Sequence, residues 1–291
     1  MASFVHPQHL CVSPAGREIS YCEYGDPSGY PVFLSHGTPG SRIQAEPLNE
    51  VAIELRLRLI AMDRPGYGGT DPAVGDRLDS WSADVEAVRS KLAVDRIVMV
   101  GVSGGAGAAL GYAYRHPEVA RHVFVVSGLV PGAPRPAHGV PLGLRFVHAL
   151  VARAPKIARR VLVVSESKFV ATNERMARGL PSADRSVMLD PLLADMWRRN
   201  YAAAVHQGGD AIIADFASFS VPVLPPGEQL LTPLTIMHGV EDRNAPIDGA
   251  RWLHVQQSRS ELIELPGAGH LFVLHDPRAL LKEVAAIVQR E

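Results

Sequence analysis

The sequence predicts an α/β fold: a mostly parallel, doubly wound sheet with an antiparallel N-terminal start and an inserted helical lid. Three observations predict it. Short apolar runs alternate with helical patterns from Pro31 to Ser127 and again from Leu234 onward. The rhythm stops between Gly128 and Thr232, where helical spacing continues without strands. A β-branched run, Arg96 to Val100, passes through Gly101-Val102-Ser103-Gly104-Gly105 into the small-residue segment Ala106 to Leu110. Such a run, apolar without alternation, reads as a strand buried on both faces.

Leu10–Val12 and Glu18–Tyr24 read as two strands around a Pro14-Ala15-Gly16 turn. Gly25 to Gly29 breaks the chain, Pro31–Ser35 is the next strand, and His36-Gly37-Thr38-Pro39-Gly40-Ser41 is a loop. Helical spacing covers Pro47–Leu57, and a strand covers Leu59–Met62. Asp63 to Asp71 closes that strand as a glycine-rich turn. Ser80 reads as the N-cap of a helix carrying Trp81, Val85, Val88 and Leu92 on one face. After the elbow segment, Val123–Ser127 is a further strand. The lid opens with Pro131, Gly132, Pro134 and Pro136. Its best helices are Leu142–Val151, Lys156–Val164 and Ser186–Val205, the last with Leu189, Leu192, Leu193, Met196 and Tyr201 along one side. Strands return at Leu234–Met237 and Glu261–Leu265, and Pro277–Gln289 is the final helix. The expected division is a core of 1–128 and 233–291 with a lid of 129–232.

Composition narrows the function. A net charge of −1 gives no reason to expect nucleic acid or an anionic membrane as partner. No apolar run is long enough to span a bilayer, and Met1 to Leu10 lacks the pattern of a signal peptide. A cytoplasmic location and a small-molecule substrate are expected, with a homodimer left open. Cys11 and Cys22 are too few for a disulfide framework and read as buried thiols, with a bridge between them left open.

The chemistry centres on Ser103. A sharp strand-to-helix turn crowds the residues two before and two after it, which is why Gly101 and Gly105 flank the serine in a G-x-S-x-G pattern. The turn lifts the hydroxyl above the sheet edge and aims helix N–H groups at the same spot. An elbow serine needs a base, an orienting acid and an oxyanion hole. His270, in Pro266-Gly267-Ala268-Gly269-His270, follows the last strand and is the candidate base, with His275 as rival. Asp242, after the Leu234–Met237 strand, is the candidate acid, with Glu241 and Asp248 as rivals. The Gly104 N–H is one oxyanion donor. The second falls to the Thr38 N–H, because Pro39 has none. The Thr38 side chain need not take part, and His36 reads as structural.

These segments together resemble the α/β-hydrolase superfamily over nearly the whole chain. His36-Gly37-Thr38-Pro39-Gly40 looks like its oxyanion loop, and Asp63-Arg64-Pro65-Gly66-Tyr67-Gly68 like its next turn. Gly101 to Gly105 resembles its elbow, and Gly239-Val240-Glu241-Asp242 and Gly269-His270 its acid and base segments. The resemblance implies a Ser-His-Asp hydrolase with no cofactor and no metal, acting on an ester, thioester, lactone or amide. Serine at position 103 argues against the dehalogenase and epoxide hydrolase relatives, which use aspartate there. Thr38 departs from the HGGPG loop of proline iminopeptidases and counts against a peptidase. C–C bond hydrolysis, a biosynthetic cyclisation, or ligand reception on the same fold are the alternatives. Leu142, Leu144, Phe146, Val147, Phe169, Met176, Met188, Leu192 and Trp197 are the candidates for a pocket lining or for the lid's own core. Lid cations such as Arg159, Arg160, Lys168, Arg175, Arg178, Arg198 and Arg199 would suit an acidic group or a solvated face.

Overall fold

A computed structural model describes residues 6–134, 142–164, 177–178 and 180–290. Strands β1 (His9–Val12), β2 (Glu18–Gly25), β3 (Tyr30–Ser35), β4 (Leu57–Met62), β5 (Ile97–Val102), β6 (Ala120–Val126), β7 (Leu234–Gly239) and β8 (Ser260–Leu265) form one sheet among the described residues. Its order is β1-β2-β4-β3-β5-β6-β7-β8. The β1–β2 and β2–β4 pairings are antiparallel and the rest are parallel, so the chain enters antiparallel as expected.

Neighbouring residues on the central strands feed opposite cores. Phe33, Ile60, Met99 and Val125 pack with Trp81, Val85 and Val88 of α2 (Arg77–Lys91) and with α3 (Ala106–Arg115). Val32, Leu59, Val100 and Phe124 pack on the other face, with Ala52 of α1 (Asn49–Glu54). Both faces are covered, which is why these strands read as unbroken apolar runs. Cys11 belongs to the first core and Cys22 to the second. The two thiols are free and lie on opposite sides of the sheet, which rules out the bridge left open above.

Between β6 and β7 the described residues hold helices and no strand. These are α4 (Leu142–Arg153), α5 (Pro155–Val164), α6 (Ser182–Met188), α7 (Pro191–Val205) and α8 (Asp210–Ser218), referred to below as the cap. After β7 come α9 (Asp248–Gln256), the short α10 (Phe272–His275) and α11 (Pro277–Gln289).

Three elements differ from the sequence expectation. The 47–57 helix is a 3-10 segment, Arg42–Leu48, followed by α1. Arg56 then turns into the left-handed region at φ 53°, and Leu57 leaves to start β4. Asp76, not Ser80, caps α2, accepting from the Leu78 and Asp79 N–H groups, while the Ser80 hydroxyl bonds the Val74 backbone. The 186–205 helix is two, because Pro191 cannot continue α6 and instead starts α7 behind the Asp190 cap. Breaking there rotates Leu189 and Leu192 to the surface and leaves Met196 and Tyr201 inside.

The cap docks on the core by polar contacts placed around the 36–48 and 63–70 segments. Arg199 grips Glu46 with both terminal nitrogens at 2.9 and 2.8 Å. Asn200 Oδ1 accepts from the Ser41 N–H and hydroxyl at 2.9 and 3.0 Å. Gln207 donates to the Gly68 and Thr70 carbonyls.

Candidate active site

The elbow is built as its spacing requires. Ser103 has φ 51°, a left-handed conformation that costs a non-glycine residue about 1–2 kcal/mol. The strain persists because β5 and α3 hold both ends of the turn. A Cβ on Gly101 would stand 2.7 Å from the Ala109 Cβ, and one on Gly105 would run into the Ser35 carbonyl of β3. Glycine at both positions is therefore a packing demand.

The turn brings Ser103, His270 and Asp242 into one relay. His270 Nε2 lies 3.0 Å from Ser103 Oγ, and His270 Nδ1 lies 2.7 Å from Asp242 Oδ2. His270 follows β8 on a loop whose reversal uses Gly267, at φ 73°. Asp242 is buried at the tip of the loop after β7. Its Oδ1 accepts from the Asn244 and Ala245 N–H groups, both at 2.8 Å, so its orientation is fixed from behind. Glu241 is exposed, and Asp248 is an exposed residue at the start of α9. His275 is exposed on α10. Neither the rival acids nor the rival base join the relay.

The electrostatics are set by burial against pairing. Burial pulls the His270 imidazole toward neutrality, but the Asp242 charge, its hydrogen bond and the Asp184 charge outweigh it, and the histidine is raised above its usual range. Burial pushes Asp242 up, yet His270 and His238 hold its carboxyl down at about 2. His238 was not singled out in the sequence. It is fully buried beside the acid, with Nε2 2.6 Å from the Ala245 carbonyl and 3.2 Å from Asp242 Oδ2. A proton on Nε2 serves both acceptors and fixes the tautomer.

The sign of the His270 shift gives a pH prediction. A base must be neutral to accept the Ser103 proton, and a raised value keeps it charged further up the pH scale. The kcat/KM of any cleaved ester should therefore rise with pH through one group whose midpoint lies above the ordinary ~6.5. A midpoint below ~6.5 would mean that burial wins over Asp242.

The second half of the site is the 36–41 loop. A Cβ added to Gly104 would fall on the Thr38 side chain, so the two oxyanion candidates are immediate neighbours. Among the described residues no acceptor takes the Thr38 N–H, whereas the Gly37 N–H is taken by Gln44 Oε1 at 2.7 Å. His36 is buried and structural: Nδ1 meets the Gly37 carbonyl, and Nε2 accepts the Arg64 N–H. The Thr38 hydroxyl is engaged by the cap and by the 63–68 turn. It donates to Asp215 Oδ2 at 2.6 Å and accepts from Arg64 Nη2 at 2.7 Å.

Ser103 and His270 open onto a pocket of about 770 Å³, open solvent at its mouth included, lined also by Met188, Trp197, Asn200 and Leu271. Of the lid residues expected to line it, Met188 and Trp197 do. Phe146 and Leu192 are exposed, Leu142, Leu144 and Val147 lie on α4, and Phe169 and Met176 lie outside the described residues. Three of the described lid arginines face other partners. Arg159 pairs with Asp210, Arg198 with Asp195, and Arg199 with Asp195 and Glu46. Lys168 and Arg175 are outside the described residues. Among the described residues, no group of three or more His, Cys, Asp or Glu is placed to hold a metal, and no helix is long and apolar enough to cross a membrane.

The chain is similar to known proteins over nearly its whole length. A non-heme haloperoxidase from Rhodococcus erythropolis is 27% identical over 270 residues, covering 88% of this chain and 90% of that protein. A bifunctional esterase/perhydrolase from Acinetobacter calcoaceticus is 25% identical over 284 residues, covering 94% and 97%. The structure of an esterase from Exiguobacterium antarcticum is similar with a TM-score of 0.72 at 18% identity, over 97% of this chain and all of that one. The model of the alpha/beta hydrolase family matches residues 32–283, a span that runs from β3 into α11. The chain belongs to the α/β-hydrolase family.

Proposed function

We propose that this protein is a serine hydrolase that cleaves a carboxylic ester of a small, largely apolar molecule through an acyl-enzyme on Ser103. The observation that carries the reading is the unbroken relay, 3.0 Å from Ser103 to His270 and 2.7 Å from His270 to Asp242, with Thr38 and Gly104 adjacent to each other next to Ser103. Ser103 Oγ attacks the carbonyl as its proton passes to His270 Nε2. Asp242 accepts from Nδ1–H and stabilises the imidazolium. The tetrahedral oxyanion lies between the Thr38 and Gly104 N–H groups. His270 then protonates the leaving alcohol, and the same steps with water in place of Ser103 release the acid.

The pocket supports a small substrate with an apolar body. Met188, Trp197, Leu271, Val273 and Leu274 supply hydrophobic surface, and Gln44, Asn200 and Asn244 supply a few polar groups. An ester is suggested by the name of one relative that matches nearly the whole chain, and a proline iminopeptidase that is 26% identical over 90% of this chain keeps an amide as the second reading. The test is turnover of short-chain nitrophenyl esters, followed from the first milliseconds. The reading predicts turnover with an initial burst of about one nitrophenol per Ser103 when deacylation is slow. Binding without any turnover across the series would support ligand reception on the same fold.

A further inference from the structure

Two carboxylates of the cap are buried against the catalytic loops, and the sequence singled out neither. Asp184, in the first turn of α6, is 1% exposed. Its Oδ2 accepts the His270 N–H at 2.9 Å and its Oδ1 the Leu271 N–H at 2.7 Å. Among the described residues no Lys or Arg pairs with it, so the histidine loop itself offsets the burial of this carboxylate. Gly269 is glycine for this reason: a Cβ there would fall on the Asp184 carboxylate. Asp215, on α8, is 3% exposed. It accepts from the Thr38 and Tyr67 hydroxyls, both at 2.6 Å, and pairs with Arg64 at 2.8 Å and Arg77 at 3.0 Å. Arg64 also donates to the Gly37 carbonyl at 3.1 Å, so carboxylate and guanidinium together clamp the loop that carries the Thr38 N–H.

We propose that Asp184 and Asp215 are positioning residues through which the seating of the cap sets the His270 loop and the Thr38 N–H in their reactive geometry. The proposal rests on the serine-hydrolase reading above. Neither carboxylate lines the pocket, so each acts through the residue it holds and not on substrate. Their effects differ in kind. The charges that act on His270 are Asp242, from the loop after β7, and Asp184, from α6. Removing the Asp184 charge loosens the loop and also lowers the proton affinity of His270. Removing the Asp215 charge leaves His270 titration alone and releases only the oxyanion loop.

The experiment compares Asp184→Asn, Asp184→Glu, Asp215→Asn and Gly269→Ala with the parent, each checked for folding by near-ultraviolet circular dichroism. The readouts are single-turnover acylation of Ser103 by a nitrophenyl ester and NMR titration of the His270 ring. Misplacement by about 1 Å costs up to about 10²-fold in rate. Both Asn variants should lose about 10- to 100-fold in acylation, with KM changed by no more than about twofold, because ground-state binding is untouched. The His270 midpoint should fall in Asp184→Asn and stay at the parent value in Asp215→Asn. Asp184→Glu keeps the charge and should recover the midpoint but not the rate. Gly269→Ala, which displaces the carboxylate without deleting it, should lose rate as well and serves if Asp184→Asn does not fold. Folded Asn variants with parent acylation and parent titration would overturn the proposal. The titration needs no substrate, so a shifted midpoint in a protein whose Ser103→Ala variant keeps full turnover separates failure of the acyl-enzyme reading from failure of this one.

Discussion

Replacing Ser103 with alanine should lower turnover by about 10⁴- to 10⁶-fold while leaving the fold intact. The expectation follows from the elbow. Among the described residues Ser103 alone offers a hydroxyl at 3.0 Å from the relay histidine, and it is held there at φ 51° by β5 and α3. Alanine adopts the same strained conformation, so the melting temperature should shift little. The residual rate would come from the Thr38 and Gly104 donors and from binding. Parent-level turnover by the alanine variant, on any substrate the parent cleaves, would remove Ser103 from the chemistry.

Asp242→Asn should be the next most damaging change, up to about 10⁴-fold in kcat. The amide keeps the shape and can still accept from Asn244 and Ala245, but it then turns its NH2 toward His270. That favours the tautomer with the proton on Nε2, which cannot take the Ser103 proton. Glu241→Gln and Asp248→Asn, both at exposed positions, should each change kcat less than about threefold. Steady-state kinetics on the three variants gives the ranking directly, and equal losses at Asp242 and Glu241 would displace the acid from position 242.

The reach of the sequence follows from how local each signal is. The elbow was legible because steric crowding dictates glycine at two fixed offsets from Ser103. The sheet was legible because its central strands, β3 to β7, are mostly apolar and buried on both faces. His270 and Asp242 were reachable because each directly follows a strand that could be read. The cap was legible only as helix. Its inner break, at Asp190-Pro191, was written in the chain and overlooked because the apolar spacing carried straight across it. Asp184 and Asp215 had no local signature. A carboxylate inside an amphipathic helix looks the same whether it faces water or a buried loop, and only the docking of the cap decides. The reason for Gly269 is the Asp184 carboxylate opposite, 85 positions earlier in the chain. His238 stood next to the acid segment, but a histidine within an apolar strand carries no mark of its neighbour. The Thr38 hydroxyl was set aside because its partners, Arg64 and Asp215, come from another turn and from the cap.

The central claim is that Ser103 and His270 act as one unit to form a covalent intermediate. Intact-protein and peptide mass spectrometry after exposure to a serine-directed phosphonate tests it most directly, in the parent and in His270→Ala across a pH series. The account predicts one adduct, on Ser103, with a labelling rate that follows the same pH curve as ester turnover and that collapses in His270→Ala. An adduct that forms at the parent rate without His270 would contradict it.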